Sequence, residues 1–232
     1  MARVVCLPHA GGAASFFGSW GDETSAEVLA VQYPGREDRL GDAFPADVTA
    51  LAGEIAAALP TDLPIVLFGH SLGAIVAYEV ARALEFRHGV GPAHLVVSGR
   101  RAPSDPPGGD VHRWSDDQLV DELVRLGGTD GGVLRVPEAR SVFLPAIRAD
   151  FRIAETYRHS PGPEPSCPLT AVIGTEDTEV DAEQARRWAG HTTGEFALHL
   201  LPGGHFYLIA ERDALLDIIE TKTGMRHRET VG

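Results

Sequence analysis

The sequence predicts an α/β protein built on a mostly parallel sheet with helices on both faces. Three observations predict it. Short β-rich runs alternate with helical patterns through the first two thirds of the chain. The runs are apolar almost throughout, as in strands buried on both faces. One long stretch between the fourth and fifth runs holds helical patterns and no strand candidate.

The expected strands are Val4 to Leu7, Val28 to Gln32, Ile65 to Phe68, His94 to Ser98, Leu169 to Ile173 and Phe196 to Leu201. Between the second and third, Val48, Leu51, Ile55 and Leu59 share one face of a helix over Ala46 to Leu59, with Asp47 as its N-cap. After the third, a helix over Ala74 to Leu84 buries Ile75, Val76, Val80 and Leu84. Residues 103–165 then offer a Pro/Gly-rich lead-in, a helix from Asp116 to Leu126, a glycine-rich run over 127–132 and a second helix from Val142 to Tyr157. Inserted between the fourth and fifth strands, these helices lie over the carboxyl edge of the sheet, where open α/β folds bind ligands. The glycines beside amphipathic helices predict a mobile lid. A last helix is expected from Phe206 to Ile219, followed by a polar tail. With 232 residues, 44% of them apolar, and no linker between two halves, the chain reads as a single domain, 1–232, carrying the insertion.

A net charge of −13 argues against nucleic acid, because phosphate binding needs a basic surface. Cys6 and Cys167 are too few for a disulfide framework or a metal site and read as reduced thiols. No signal-peptide pattern and no apolar stretch of membrane-spanning length is present. The expectation is a soluble, cytoplasmic protein without metal, cofactor or membrane partner.

The chemistry centres on Gly69-His70-Ser71-Leu72-Gly73, a G-x-S-x-G motif between the third strand and the helix that follows. A serine hydroxyl is a weak nucleophile near neutral pH and needs a base, with an acid to orient that base. Both appear in the order Ser, Asp, His: Asp177 follows the fifth strand and His205 follows the sixth. Glu176 is the alternative acid. His70 is read as a packing residue, and His9 as lying near the site in a different loop. A tetrahedral intermediate requires two backbone N–H donors, assigned to Leu72 and to Ala10 in the loop Pro8-His9-Ala10-Gly11-Gly12, with Gly11 as the alternative. Phe143, Ile147 and Phe151 in the insertion are candidates for lining a substrate chamber. Arg36 and Arg39 are expected to pair with the adjacent Glu37 and Asp38.

With these pieces in place, the chain resembles the type II thioesterases of polyketide and nonribosomal peptide synthesis. The resemblance rests on Leu7-Pro8-His9-Ala10-Gly11-Gly12, Gln32-Tyr33-Pro34-Gly35-Arg36 with Asp38-Arg39, the Ser71 motif, Leu126-Gly127-Gly128-Thr129, Leu144 to Phe151, and Gly203-Gly204-His205-Phe206. It implies an α/β-hydrolase fold with a helical lid, Ser71, Asp177 and His205 as a triad, and Ala10 with Leu72 as an oxyanion hole. It also implies hydrolysis of acyl groups from the phosphopantetheine arm of acyl or peptidyl carrier proteins, clearing stalled or misprimed units. A product-release thioesterase and a non-catalytic carrier-binding module are the competing readings. The sequence departs from the family in starting almost at the first strand of the parallel sheet and in having Thr178 where a proline is common.

Overall fold

A computed structural model describes residues 1–106, 108–128 and 133–222. The glycine run at 129–132 and the polar tail from 223 onward lie outside these residues. Six strands form one wholly parallel sheet in the order β2-β1-β3-β4-β5-β6. They are β1 Arg3–Leu7, β2 Glu27–Ala30, β3 Ile65–His70, β4 His94–Ser98, β5 Leu169–Gly174 and β6 Phe196–Leu201. All six expected strands are present. The second ends two residues earlier than expected, at Ala30.

The helices are α1 Trp20–Glu23, α2 Val48–Ala58, α3 Leu72–His88, α4 Asp116–Leu126, α5 Pro137–Thr156, α6 Ala182–Arg186, α7 Tyr207–Ala210 and α8 Arg212–Lys222. The Asp47 side chain caps α2 by accepting from Ala50 N–H at 2.8 Å. Helix α5 starts five residues before the expected Val142, because Pro137 sits at its first turn, where a missing N–H is harmless. The single last helix expected is two, α7 and α8, broken at Glu211.

Alternating side chains of the strands explain their continuous apolar character. Val5, Leu7, Leu67, Leu95 and Ala171 face a layer shared with α2, α3 and Trp188. Val4, Cys6, Phe68, Val96 and Val172 face the opposite layer with Trp20, Tyr207 and α8. A third cluster belongs to the insertion: Leu119, Val120 and Leu123 of α4 pack with Leu144 and Ile147 of α5, and Trp114 lies against them. Farther along α5, Ile153 and Ala154 join the first sheet layer. Helix α5 therefore spans two cores.

The chain reverses its direction of winding between β1 and β3, since β2 lies on one side of β1 and every later strand on the other. The crevice at such a reversal, beyond the carboxyl ends of the strands, is where this architecture places a ligand.

Candidate active site

β3 ends at His70 and α3 begins at Leu72, so Ser71 alone makes the turn, with φ 54° and ψ −113°. Positive φ is uncommon for a residue with a Cβ and signals strain held by its surroundings. The Ser71 N–H donates to the Ser98 carbonyl of β4 at 2.8 Å. A Cβ on Gly69 would lie 2.0 Å from the Gly73 carbonyl oxygen, and one on Gly73 would lie 2.1 Å from that of Leu7. Both contacts are backbone, so neither can give way. Ser71 lines a cavity of about 550 Å³ at the reversal point, together with Ala10, Leu72, Asp177 and His205.

The Asp177 side chain is fully enclosed and that of His205 nearly so. Nδ1 of His205 stands 3.1 and 3.0 Å from the two Asp177 carboxylate oxygens, and Oδ1 of Asp177 also accepts from Glu179 N–H at 2.8 Å. Donating Nδ1–H to a carboxylate leaves the Nε2 lone pair free for proton transfer. Glu176 is exposed, and it is Asp177 that meets the imidazole. The His70 ring packs 4.9 Å from that of His205, and its Nδ1 lies 2.9 Å from Ser98 Oγ, itself 2.7 Å from the Tyr207 hydroxyl. Burial holds His70 well below the ordinary histidine range. His9 is buried edge-on between Phe16 and Phe206, and burial, with His205 and Arg36 nearby, pushes its pKa down to about 3. Both rings are neutral.

Leu72 opens α3, so its N–H has no partner within the helix. Of the two candidates in the first loop, Gly11 is engaged: its N–H donates to Asp150 Oδ2 at 2.8 Å. Ala10 is the one on the cavity wall.

The three insertion residues separate. Phe151 lines the cavity. Ile147 is buried in the insertion's own core and lies against the first loop, where a Cβ on Gly11 would fall 2.9 Å from its Cγ1. Phe143 lies at the margin of that helix face, is 46% exposed, and is not on the cavity wall. Charged groups missing from the sequence reading also line the cavity, among them Arg100, Glu122, Glu155 and Glu179. The Arg36 and Arg39 pairings differ from expectation too. Arg36, preceding a short 3-10 turn in extended backbone, forms a buried pair with Asp150, and Arg39 pairs with Asp42.

Among the described residues, His159, Glu164 and His191 have metal-ligand chemistry, two turns along α3 from Ser71 beside Tyr78. Hydrogen bonds account for that group: the Tyr78 hydroxyl donates to Glu164 and stands 3.0 Å from His159 Nε2, while His191 Nε2 is 2.9 Å from Ser104 Oγ.

The thioesterase domain family matches residues 2–223. This chain belongs to the thioesterase family. Within it, the chain is 46% identical over 211 residues to thioesterase PikA5 of Streptomyces venezuelae, covering 89% of this chain and 75% of that protein. It is 45% identical to a probable cadicidin biosynthesis thioesterase of Streptomyces griseus, covering 92% of this chain and 60% of that protein. The thioesterase is also similar to solved structures. The type II thioesterase BorB of the borrelidin cluster superimposes with TM-score 0.86 at 43% identity, covering 96% of this chain and 92% of that one. YbtT, the type II thioesterase of the yersiniabactin NRPS/PKS pathway, gives 0.87 at 29% identity, covering 96% and 93%. No helix of the described thioesterase residues is long and apolar enough to cross a membrane.

Proposed function

We propose that this thioesterase hydrolyses acyl groups from the phosphopantetheine arm of acyl or peptidyl carrier proteins, as an editing enzyme. The observation that carries the reading is the buried Asp177–His205 pair facing a cavity shared with the strained Ser71. In this mechanism Ser71 Oγ attacks the thioester carbonyl carbon while His205 Nε2 takes its proton, and Asp177 stabilises the imidazolium. The carbonyl oxygen becomes an oxyanion held by the N–H groups of Leu72 and Ala10. Collapse expels the phosphopantetheine sulfur, which takes the proton from His205, and the acyl group remains on Ser71. Water, deprotonated by His205, then attacks the acyl ester; on collapse Ser71 Oγ leaves and takes that proton from His205, releasing the free acid and restoring the enzyme. The similarity to type II thioesterases of biosynthetic clusters supports carrier-bound thioesters over free esters.

The chamber suggests the acyl class. Arg100, Glu122 and Glu155 share the wall with Leu123, Leu126 and Phe151. Such mixed polarity suits short or oxygenated acyl groups, because a long alkyl chain would desolvate those charges without pairing them. The test is release of acyl groups of graded length and oxidation from loaded carrier proteins. Hydrolysis lost in Ser71→Ala and fastest for short or oxygenated groups is expected. Equal inactivity of wild type and Ser71→Ala toward every loaded carrier would refute the reading.

A further inference from the structure

Arg36 and Asp150 are 114 residues apart in sequence and both buried, with 6% and 1% of their surface exposed. Asp150 accepts from Arg36 Nη2 at 2.7 Å through Oδ1 and from Nη1 at 2.6 Å through Oδ2. Each partner has a second bond to the first loop. Asp150 Oδ2 accepts the Gly11 N–H at 2.8 Å, and Arg36 Nη1 donates to the Gly12 carbonyl at 2.8 Å. The ion pair thus grips the segment after Ala10 by the N–H of one residue and the carbonyl of the next. Gly11 is held at φ +78°, a conformation that favours glycine, with Ile147 closing the space where a side chain would go. Asp150 and Ile147 lie one turn apart on α5, so the inserted helix carries one half of the grip.

A buried ion pair is a poor stabilising device, because desolvation offsets most of the attraction and an apolar pair of similar volume often serves as well. What it supplies here, and an apolar pair does not, is direction at two peptide groups. Resting on the reading that Ala10 N–H stabilises the oxyanion, we propose that Arg36 and Asp150 are positioning residues that fix this loop for the transition state and tie its geometry to helix α5.

The test uses the full-length enzyme and the double variant Arg36→Met/Asp150→Leu, which removes both charges and retains apolar bulk. Single variants leave one buried charge unpaired and are expected to lose stability; the double variant is expected to regain most of the thermal midpoint. Its kcat falls by about 10²–10³, as for loss of an oxyanion donor, with KM little changed. The same factor is lost in affinity for an acyl trifluoromethyl ketone. There Ser71 Oγ adds to the carbonyl, its proton passes to His205, and the ketone oxygen becomes the anion in the hole. Affinity for a thioether analogue, which develops no charge, stays at the wild-type value. If the double variant does not fold, Arg36→Lys, which retains the charge and lacks the planar fork, is read the same way. A folded variant with wild-type kcat, or equal losses for both analogues, overturns the proposal. A wild-type enzyme that forms the ketone adduct yet releases no carrier-bound acyl group would refute the substrate and leave the positioning role standing.

Discussion

Asp177 and Glu176 are adjacent carboxylates in one loop, and the backbone turns one toward the imidazole and the other toward solvent. Asp177→Asn therefore lowers kcat by about 10³–10⁴ by favouring the wrong imidazole tautomer, whereas Glu176→Gln changes it little. Steady-state kinetics on one acyl carrier substrate decides this, and the reverse order would reject Asp177 as the acid. Ser71→Ala abolishes turnover with an unchanged far-UV circular dichroism spectrum, since no core packing rests on its Oγ. The turn at Ser71 was legible because its sterics stand alone, as the Gly69 and Gly73 contacts demonstrate. The Arg36–Asp150 pair was not. Acidic neighbours at Glu37 and Asp38 offered a local explanation, and only the folded chain brings Asp150 to Arg36.

Helix α4 was legible to the residue, since Ser115 closes a capping box with Gln118 at one end and Gly127, at φ 88°, stops the helix at the other. The start of helix α5 was not, because Val136 ahead of it offers no side-chain cap, although the expected helix already ran through Pro145. That proline also falls near a division of duties. Before it, α5 packs only within the insertion; beyond it, Asp150 grips the first loop, Arg152 donates to the carbonyls of Pro45 and Ala46, and Ile153 enters the sheet core. Any lid motion is therefore expected in α4 and the first turns of α5. Amide hydrogen exchange checks this, with faster exchange over Val120 to Leu126 than over Ile153 to Thr156 as the expected outcome. Selectivity follows the same division. Phe151→Ala shifts the ratio of kcat/KM between acyl groups differing by one or two methylenes by about tenfold, and Phe143→Ala leaves that ratio alone. Comparable shifts in both variants would mean that the outer face of α5 also meets substrate.

Across the whole molecule, acid stability is set in part by histidines folded in their neutral form. Burial pushes His94 down to about 4 and His9 to about 3, and holds His70 far below its ordinary value. As pH falls through about 6.5 the unfolded chain takes up these protons and the native state does not, so stability declines with falling pH. For each histidine the loss runs from about 6.5 down to its folded value, with a slope of up to about 1.4 kcal/mol per pH unit. Urea midpoints between pH 6.5 and 5, above most carboxylate titration, are expected to fall steadily; a flat profile there rejects the account. The separation of the apolar clusters has an optical consequence. Trp188 sits in one sheet layer, Trp20 in the other, and half-buried Trp114 against the core of the insertion. Since the chain has three tryptophans, replacing Trp20 and Trp188 by phenylalanine leaves a single indole whose emission follows the insertion alone. Its colour and its accessibility to acrylamide would report loosening of the insertion's own core, without a label and apart from unfolding of the sheet.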